Sequence, residues 1–249
     1  MATERPRLPE HPTPSYNADS LLVYHKAVAF IDEPRFQRAY RRGMDSGHHI
    51  ARSPGSNEDL HIEWRIHVVL WAATHAARLA GDFVECGVNT GIQSLAVCDY
   101  LDFNATGKSF WLFDTYDGIP ERQVSDRERE LGILAESEAN YSECYELAKA
   151  NFARYPRARL VRGEVPEALP SVDFREVAYL SIDMNIAQPE AAALEYFWDK
   201  LSPGAPVVLD DYGWAPHAPQ TEAIDALADR FGAPVLELPT GQGLLLKPP

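Results

Sequence analysis

Cysteine is scarce in this chain of 249 residues, which carries it only at Cys86, Cys98 and Cys144. Three cannot all pair, and none lies in C-x-x-C or zinc-finger spacing, so the pattern excludes a disulfide framework and predicts reduced thiols in a cytoplasmic protein. Long apolar runs are missing too. No window approaches the ~18 apolar residues of a membrane span, and the Arg- and Pro-rich start shows no basic-then-apolar signal pattern. Basic residues are outnumbered, 23 against 37 acids, for a net charge of -14. Such a chain repels nucleic acid and anionic membranes, so the expected partner is a small molecule. H-E-x-x-H, G-x-S-x-G and P-loop sequences are absent as well, which leaves the zinc-protease, serine-hydrolase and P-loop chemistries without their residues.

What is present is an alternation of short apolar runs with helical periodicity, at an ordinary 45% hydrophobic content. Residues 1–20, with Pro6, Pro9, Pro12 and Pro14, read as a disordered tail, and 21–56 as a helical extension that serves as lid or dimer contact. From residue 57 to 249 one domain is expected. Asn57 to Leu60 caps a helix whose apolar positions Ile62, Ile66, Val69, Leu70, Ala73 and Ala77 recur at helical spacing. Strands are then predicted over 83–86, 109–113, 159–161, 177–182 and 206–209, with helices between them. This rhythm predicts an α/β fold with a mainly parallel, doubly wound, Rossmann-like sheet. The tail, 235–238 and 243–247, reads as two strands around a turn, an antiparallel hairpin closing that sheet. The charge-dense stretch 121–140 reads as a mobile, lid-like insertion, and a solvated helix pair with no role in binding is the alternative.

Chemistry in open parallel sheets gathers beyond the carboxyl ends of the strands. Here those positions are mostly acids: Glu85, Asp114, Asp183, Asp210 and Asp211. Glu85 opens an E-x-G-x-x-x-G turn with Gly87 and Gly91, unlike the G-x-G-x-x-G that cradles a pyrophosphate. An acid at the mouth of such a turn suits a cationic cofactor, and S-adenosylmethionine, with its sulfonium and ammonium, is the leading candidate. Asp114 lies 23 positions beyond Gly91, near the ~20-residue offset of a ribose-binding acid. The plainer alternative is a strand-end Asp that starts the turn 114–118.

Asp183, Asp210 and Asp211 come from two strand ends, and their mutual repulsion would be relieved by a hard divalent cation such as Mg²⁺. That cation would acidify and orient a substrate hydroxyl for methylation, with Asp183 or His217 as the base. For His217 an ordinary loop histidine is the alternative. Cys86, between turn residues and without a base nearby in sequence, reads as packing.

Three segments resemble the macrocin O-methyltransferase family of class I S-adenosylmethionine-dependent methyltransferases: Gly81-Asp-Phe-Val-Glu-Cys-Gly-Val, Leu112-Phe-Asp-Thr-Tyr-Asp-Gly-Ile-Pro120, and Leu201-Ser-Pro-Gly-Ala-Pro-Val-Val-Leu-Asp-Asp-Tyr-Gly213. The resemblance runs from about Asn57 to the end. It implies a seven-stranded sheet of order 3-2-1-4-5-7-6 with the last strand antiparallel. It also implies Mg²⁺ ligands at Asp183, Asp210 and Asp211, cofactor contacts at Glu85, Gly87 and Asp114, and methylation of a sugar hydroxyl, often on an antibiotic. Asn185 stands where many members carry a second acid. The acceptor is expected to be a small hydroxyl compound and the protein a homodimer. Two alternatives stay open: a metal-independent small-molecule methyltransferase, and a methyltransferase-like binding protein without activity.

Overall fold

The computed structural model of the chain describes residues 13–48 and 58–249. Asn57, residues 49–56 of the expected extension and residues 1–12 of the expected tail lie outside them. A two-stranded hairpin, β1 (Tyr16–Ala18) and β2 (Leu21–Val23), leads into α1 (Pro34–Met44) and α2 (Glu63–Ala76). The α/β alternation follows as β3 (Asp82–Cys86), α3 (Ile92–Leu101), β4 (Phe110–Asp114), α4 (Asp126–Glu130), α5 (Ile133–Asn140), α6 (Tyr145–Phe152) and β5 (Ala158–Arg162). It continues as β6 (Val177–Ile182), α7 (Ala187–Trp198), β7 (Pro206–Leu209), α8 (Ala218–Phe231), β8 (Leu236–Glu237) and β9 (Gly243–Leu246).

β3 to β9 form one sheet of order β5-β4-β3-β6-β7-β9-β8. Its first five strands pair in parallel, and β9 runs antiparallel to both β7 and β8. Counted from β3, this is the expected 3-2-1-4-5-7-6. The central strands are apolar because helices cover both faces: all six residues of β6 are buried. Along β3 the faces alternate. Phe83 packs with α1, α2 and α3, whereas Val84 and Cys86 pack with α7 and α8. Around Phe83 an aromatic cluster gathers, with Phe103 at 5.2 Å, Tyr179 at 5.1 Å and Phe110 at 5.7 Å between ring centres.

The structure departs from the sequence reading at two places outside this frame. Residues up to about 20 were expected to have no fold role, and short helices were expected from 21, yet 16–23 pair as a hairpin. Its turn residues Asp19 and Ser20 have φ of 50° and 58°, the mirror-type turn that matches strand twist. Tyr16 anchors it: the hydroxyl donates to Glu63 Oε2 at 2.8 Å, and the ring meets Trp64 edge-on. Neither three-residue strands nor an Asp-Ser turn announces itself in sequence.

The second is 121–140, where the irregular lid gives way to the alternative of a helix pair, although one that is packed and not merely solvated. It folds into α4 and α5, which pack Val124 and Ile133 against Ile186. Glu128 fastens it at both carboxylate oxygens. Oε2 closes a capping box with Ser125, and Oε1 accepts from the backbone N–H of Ala187 at 2.7 Å, at the start of α7.

Truncating Phe83 would open a cavity in the most crowded layer of the core. Phe83→Ala is expected to lower stability by about 3–5 kcal/mol, read as a fall in the urea midpoint at unchanged slope.

Candidate active site

The chain leaves β3 through a turn that only glycine permits. Gly87 has φ +87°, and a Cβ there would lie 1.7 Å from the carbonyl oxygen of Asp183. The strand exits are stitched across this turn: Gly87 N–H donates to Phe113 O at 2.9 Å and Asp183 N–H to Cys86 O at 2.8 Å. Gly91, φ +100°, opens α3 and faces the Phe152 ring. It shapes the turn from behind, whereas Gly87, Val88 and Asn89 face the cavity.

Asp114 ends β4 and holds that turn in place. Its Oδ2 accepts from Val88 N–H at 2.5 Å and Asn89 N–H at 2.7 Å, and its Oδ1 accepts from Tyr116 N–H at 2.6 Å. Thr115 Oγ1 lies 3.2 Å from Oδ1 but 2.7 Å from Gly118 O, and its single proton goes to the shorter contact. One lone pair of Oδ1 therefore stays free. The strand-end turn and a ribose contact are compatible in the same carboxylate.

Glu85 is 2% exposed, and its Oε2 has no hydrogen-bond partner. Burial pushes its carboxyl well above the usual range, the neighbouring Ser94 hydroxyl opposes the rise, and the negative charges of Asp210 and Asp114 add to it.

Across the cavity, Asp183, Asp210 and Asp211 each place a carboxylate oxygen within 4.8 Å of the others. Parallel pairing explains it. Ile182 sits opposite Leu209, so the residues that follow emerge side by side. Three hard oxygen donors at such spacing, from two neighbouring strands, suit Mg²⁺. Burial raises the Asp183 carboxyl well above its ordinary value, with Asp210 and Asp211 adding to the rise and Arg65 opposing it.

Arg65, from α2, is the main residue that sequence reasoning missed. Its Nη2 donates to Asp210 Oδ2 and, at 2.9 Å, to Asp211 Oδ1. Gln242 donates to Asp210 Oδ1 at 2.9 Å and Gln93 to Asp183 Oδ2 at 3.1 Å. The protein thus engages both oxygens of Asp210 and one oxygen each of Asp183 and Asp211. The available signal was an arginine beside the apolar stripe of Ile62, Ile66 and Val69.

Beyond Asp183 the loop is held by Glu190, whose Oε1 accepts from Met184 N–H (2.9 Å), Asn185 N–H (3.0 Å) and Gln220 Nε2 (2.6 Å). Asn185 adopts φ +62° and its amide lies 3.4 Å from the Tyr141 hydroxyl, so it stands outside the acid triad. His217 lies in the turn that opens α8, with its Nδ1 buried and unpartnered. A single cavity of about 590 Å³ is bordered by Glu85, Gly87, Asp114, the three acids and His217. Asp19 of the hairpin, with Gln123 and Glu136 of the 121–140 segment, borders it too. The second acid-rich group, Asp59, His61 and Glu63, lies outside it, and its carboxylates already accept from Tyr40 and Tyr16. Among the described residues no helix is long and apolar enough to cross a membrane.

A doubly wound sheet with this strand order, and acids at its carboxyl ends, is the Rossmann-like architecture of methyltransferases. The O-methyltransferase NovP shares it with a TM-score of 0.69 at 18% identity, over 83% of this chain and 88% of NovP. The calicheamicin methyltransferase CalS11 shares it with a TM-score of 0.57 at 18% identity, over 86% of this chain and 93% of its own. The family profile for macrocin-O-methyltransferase (TylF) matches residues 66–230, and the chain belongs to that family. One relative is the 8-demethyl-8-(2,3-dimethoxy-alpha-L-rhamnosyl)-tetracenomycin-C 4'-O-methyltransferase of Streptomyces olivaceus, 31% identical over 60% of this chain and 56% of the relative. The mycinamicin III 3''-O-methyltransferase of Micromonospora griseorubida is 25% identical over 53% of this chain and 55% of its own. The chain thus spans little more than half the length of the curated relatives it matches.

Glu190 gives a test of how this loop is held. Glu190→Ala would strand two loop N–H groups and an amide, and is expected to cost about 3 kcal/mol in urea denaturation. Burial pushes the Glu190 carboxyl up to about 8 from an ordinary 4.5, so the folded state keeps a proton that the unfolded chain releases. Stability then falls as pH rises from about 5 to 8, and Glu190→Gln should flatten that part of the profile. An unchanged slope would show that the buried group is already ionised.

Proposed function

We propose that this chain is an S-adenosylmethionine-dependent, Mg²⁺-assisted O-methyltransferase for a sugar hydroxyl of a glycosylated natural product. One observation carries the reading: a glycine turn with an unpartnered buried Glu85 faces a three-carboxylate cluster across one cavity. The relatives' names, which specify O-methylation of glycosylated tetracenomycin and of mycinamicin, support the choice of acceptor class.

Glu85 and the Gly87 turn would receive the charged amino-acid end of the cofactor, and the free lone pair of Asp114 Oδ1 a ribose hydroxyl. Asp183, Asp210 and Asp211 would hold Mg²⁺, which supplies positive charge that acidifies and orients the acceptor hydroxyl. Asp183, or His217 through its unpartnered ring nitrogen, takes the hydroxyl proton. Gln93, Gln242 and Arg65 keep the carboxylates aimed. Positioning the hydroxyl against the methyl group is then the chain's main contribution.

Isothermal titration with S-adenosylhomocysteine is expected to show binding that Asp114→Ala weakens at least tenfold, since the variant loses both the ribose partner and the brace of the glycine turn. No binding by the unaltered protein would end the cofactor reading. Asp210→Ala or EDTA should abolish methyl transfer to glycosides with free sugar hydroxyls while leaving that binding in place. The bonds from Arg65 to Asp210 and Asp211 favour a second reading, in which the guanidinium answers the acids and no metal is needed. Full activity in EDTA would select it.

A further inference from the structure

The N-terminal hairpin carries one carboxylate into the cavity. Asp19 sits at its tip, half-buried, on the side where Arg65, Asp210 and Asp211 act on it electrostatically. The hairpin is tethered at its far end by Tyr16 to Glu63, two residues before Arg65 on α2. Among the described residues the tip has no comparable side-chain tether. It lines the same cavity as Arg65, Asp210 and Asp211, where the guanidinium attracts its carboxylate and the two acids repel it.

Charge therefore decides how firmly the tip sits. Three carboxylates against one guanidinium leave the cluster negative by about two charges when all are ionised, and such a cluster repels Asp19. A divalent cation cancels that excess, so that Arg65 can hold the tip. Leu60, Ile62 and Trp214 line the same cavity as Asp19 and Arg65, so a docked tip would narrow the space left for the acceptor. We propose that the hairpin is a cation-set cap: Asp19 docks onto the Arg65 cluster when a divalent cation occupies it, and the space left for the acceptor is then narrowed. This rests on the Mg²⁺ reading above. Its consequence is an order of events in which the cation precedes the acceptor.

Hydrogen exchange measured by mass spectrometry on the full chain tests it, comparing Mg²⁺ with EDTA at matched ionic strength. Exchange of the amides over 16–23 is expected to slow about fivefold or more with Mg²⁺, the low end of ordinary couplings between sites. Asp19→Asn keeps a residue that tolerates the left-handed turn, so its fold should persist, checked by circular dichroism. That variant should lose the Mg²⁺ response, and by linkage its Mn²⁺ affinity, titrated by electron paramagnetic resonance, should fall by the same factor. Asp210→Asn should lose the response as well. If the unaltered protein binds Mn²⁺ but exchange over 16–23 does not change, the cap is overturned and the metal reading survives. If it binds no Mn²⁺, both fall.

Discussion

Like charges held together at the end of a sheet are the constraint on which the rest of this molecule turns. Two carboxylates about 4 Å apart repel by roughly 4 kcal/mol at the effective dielectric of a protein surface. Parallel pairing of β6 with β7 nevertheless forces Asp183 and Asp210 to emerge side by side, and Asp211 follows. A positive charge must answer them. Arg65 supplies one, and it can do so only because the apolar face of α2 is fixed against the sheet by Ile66, Val69 and Leu70.

The answer is incomplete by design of the geometry, since a single guanidinium faces three acids. Asp210 is engaged at both oxygens, whereas Asp183 and Asp211 each keep one oxygen outside these bonds. Gln93 reaches Asp183 from α3, and Gln242 reaches Asp210 from the turn between β8 and β9. The antiparallel hairpin at the end of the sheet thus does more than cover an edge. Its turn also accepts the Gly213 N–H on the Gly241 carbonyl at 2.7 Å, which ties down the loop after Asp211. Oriented outer contacts of this kind are what a metal-binding carboxylate needs.

Much of this frame was legible in the sequence because it follows from local rules. Apolar runs placed the parallel strands, and the strand-end rule drew Glu85, Asp114, Asp183, Asp210 and Asp211 to one edge. Partners separated by long stretches of chain were not legible. Arg65 meets Asp210 across 145 positions and Gln242 meets it across 32, and neither spacing carries a pattern. The Asp19 hairpin was hidden for another reason: its mirror turn uses Asp-Ser in place of the glycine or asparagine that usually marks one. The stretch 121–140 looked irregular because α4 and α5 are short, and their order comes from tertiary contacts such as Glu128 to Ala187.

The glycine turn and the acid cluster, although they serve different ends of the proposed reaction, are mechanically one unit. The backbone of Gly87 lies so close to the Asp183 carbonyl that no side chain fits between them. Asp114 fixes the turn through Val88 and Asn89, and Glu190 fixes the loop beyond Asp183 through Met184 and Asn185. A displacement on either side must therefore move the other. Methyl transfer needs donor and acceptor positioned to within a fraction of an ångström, and in the proposed reaction the contact of Gly87 with Asp183 would set that distance.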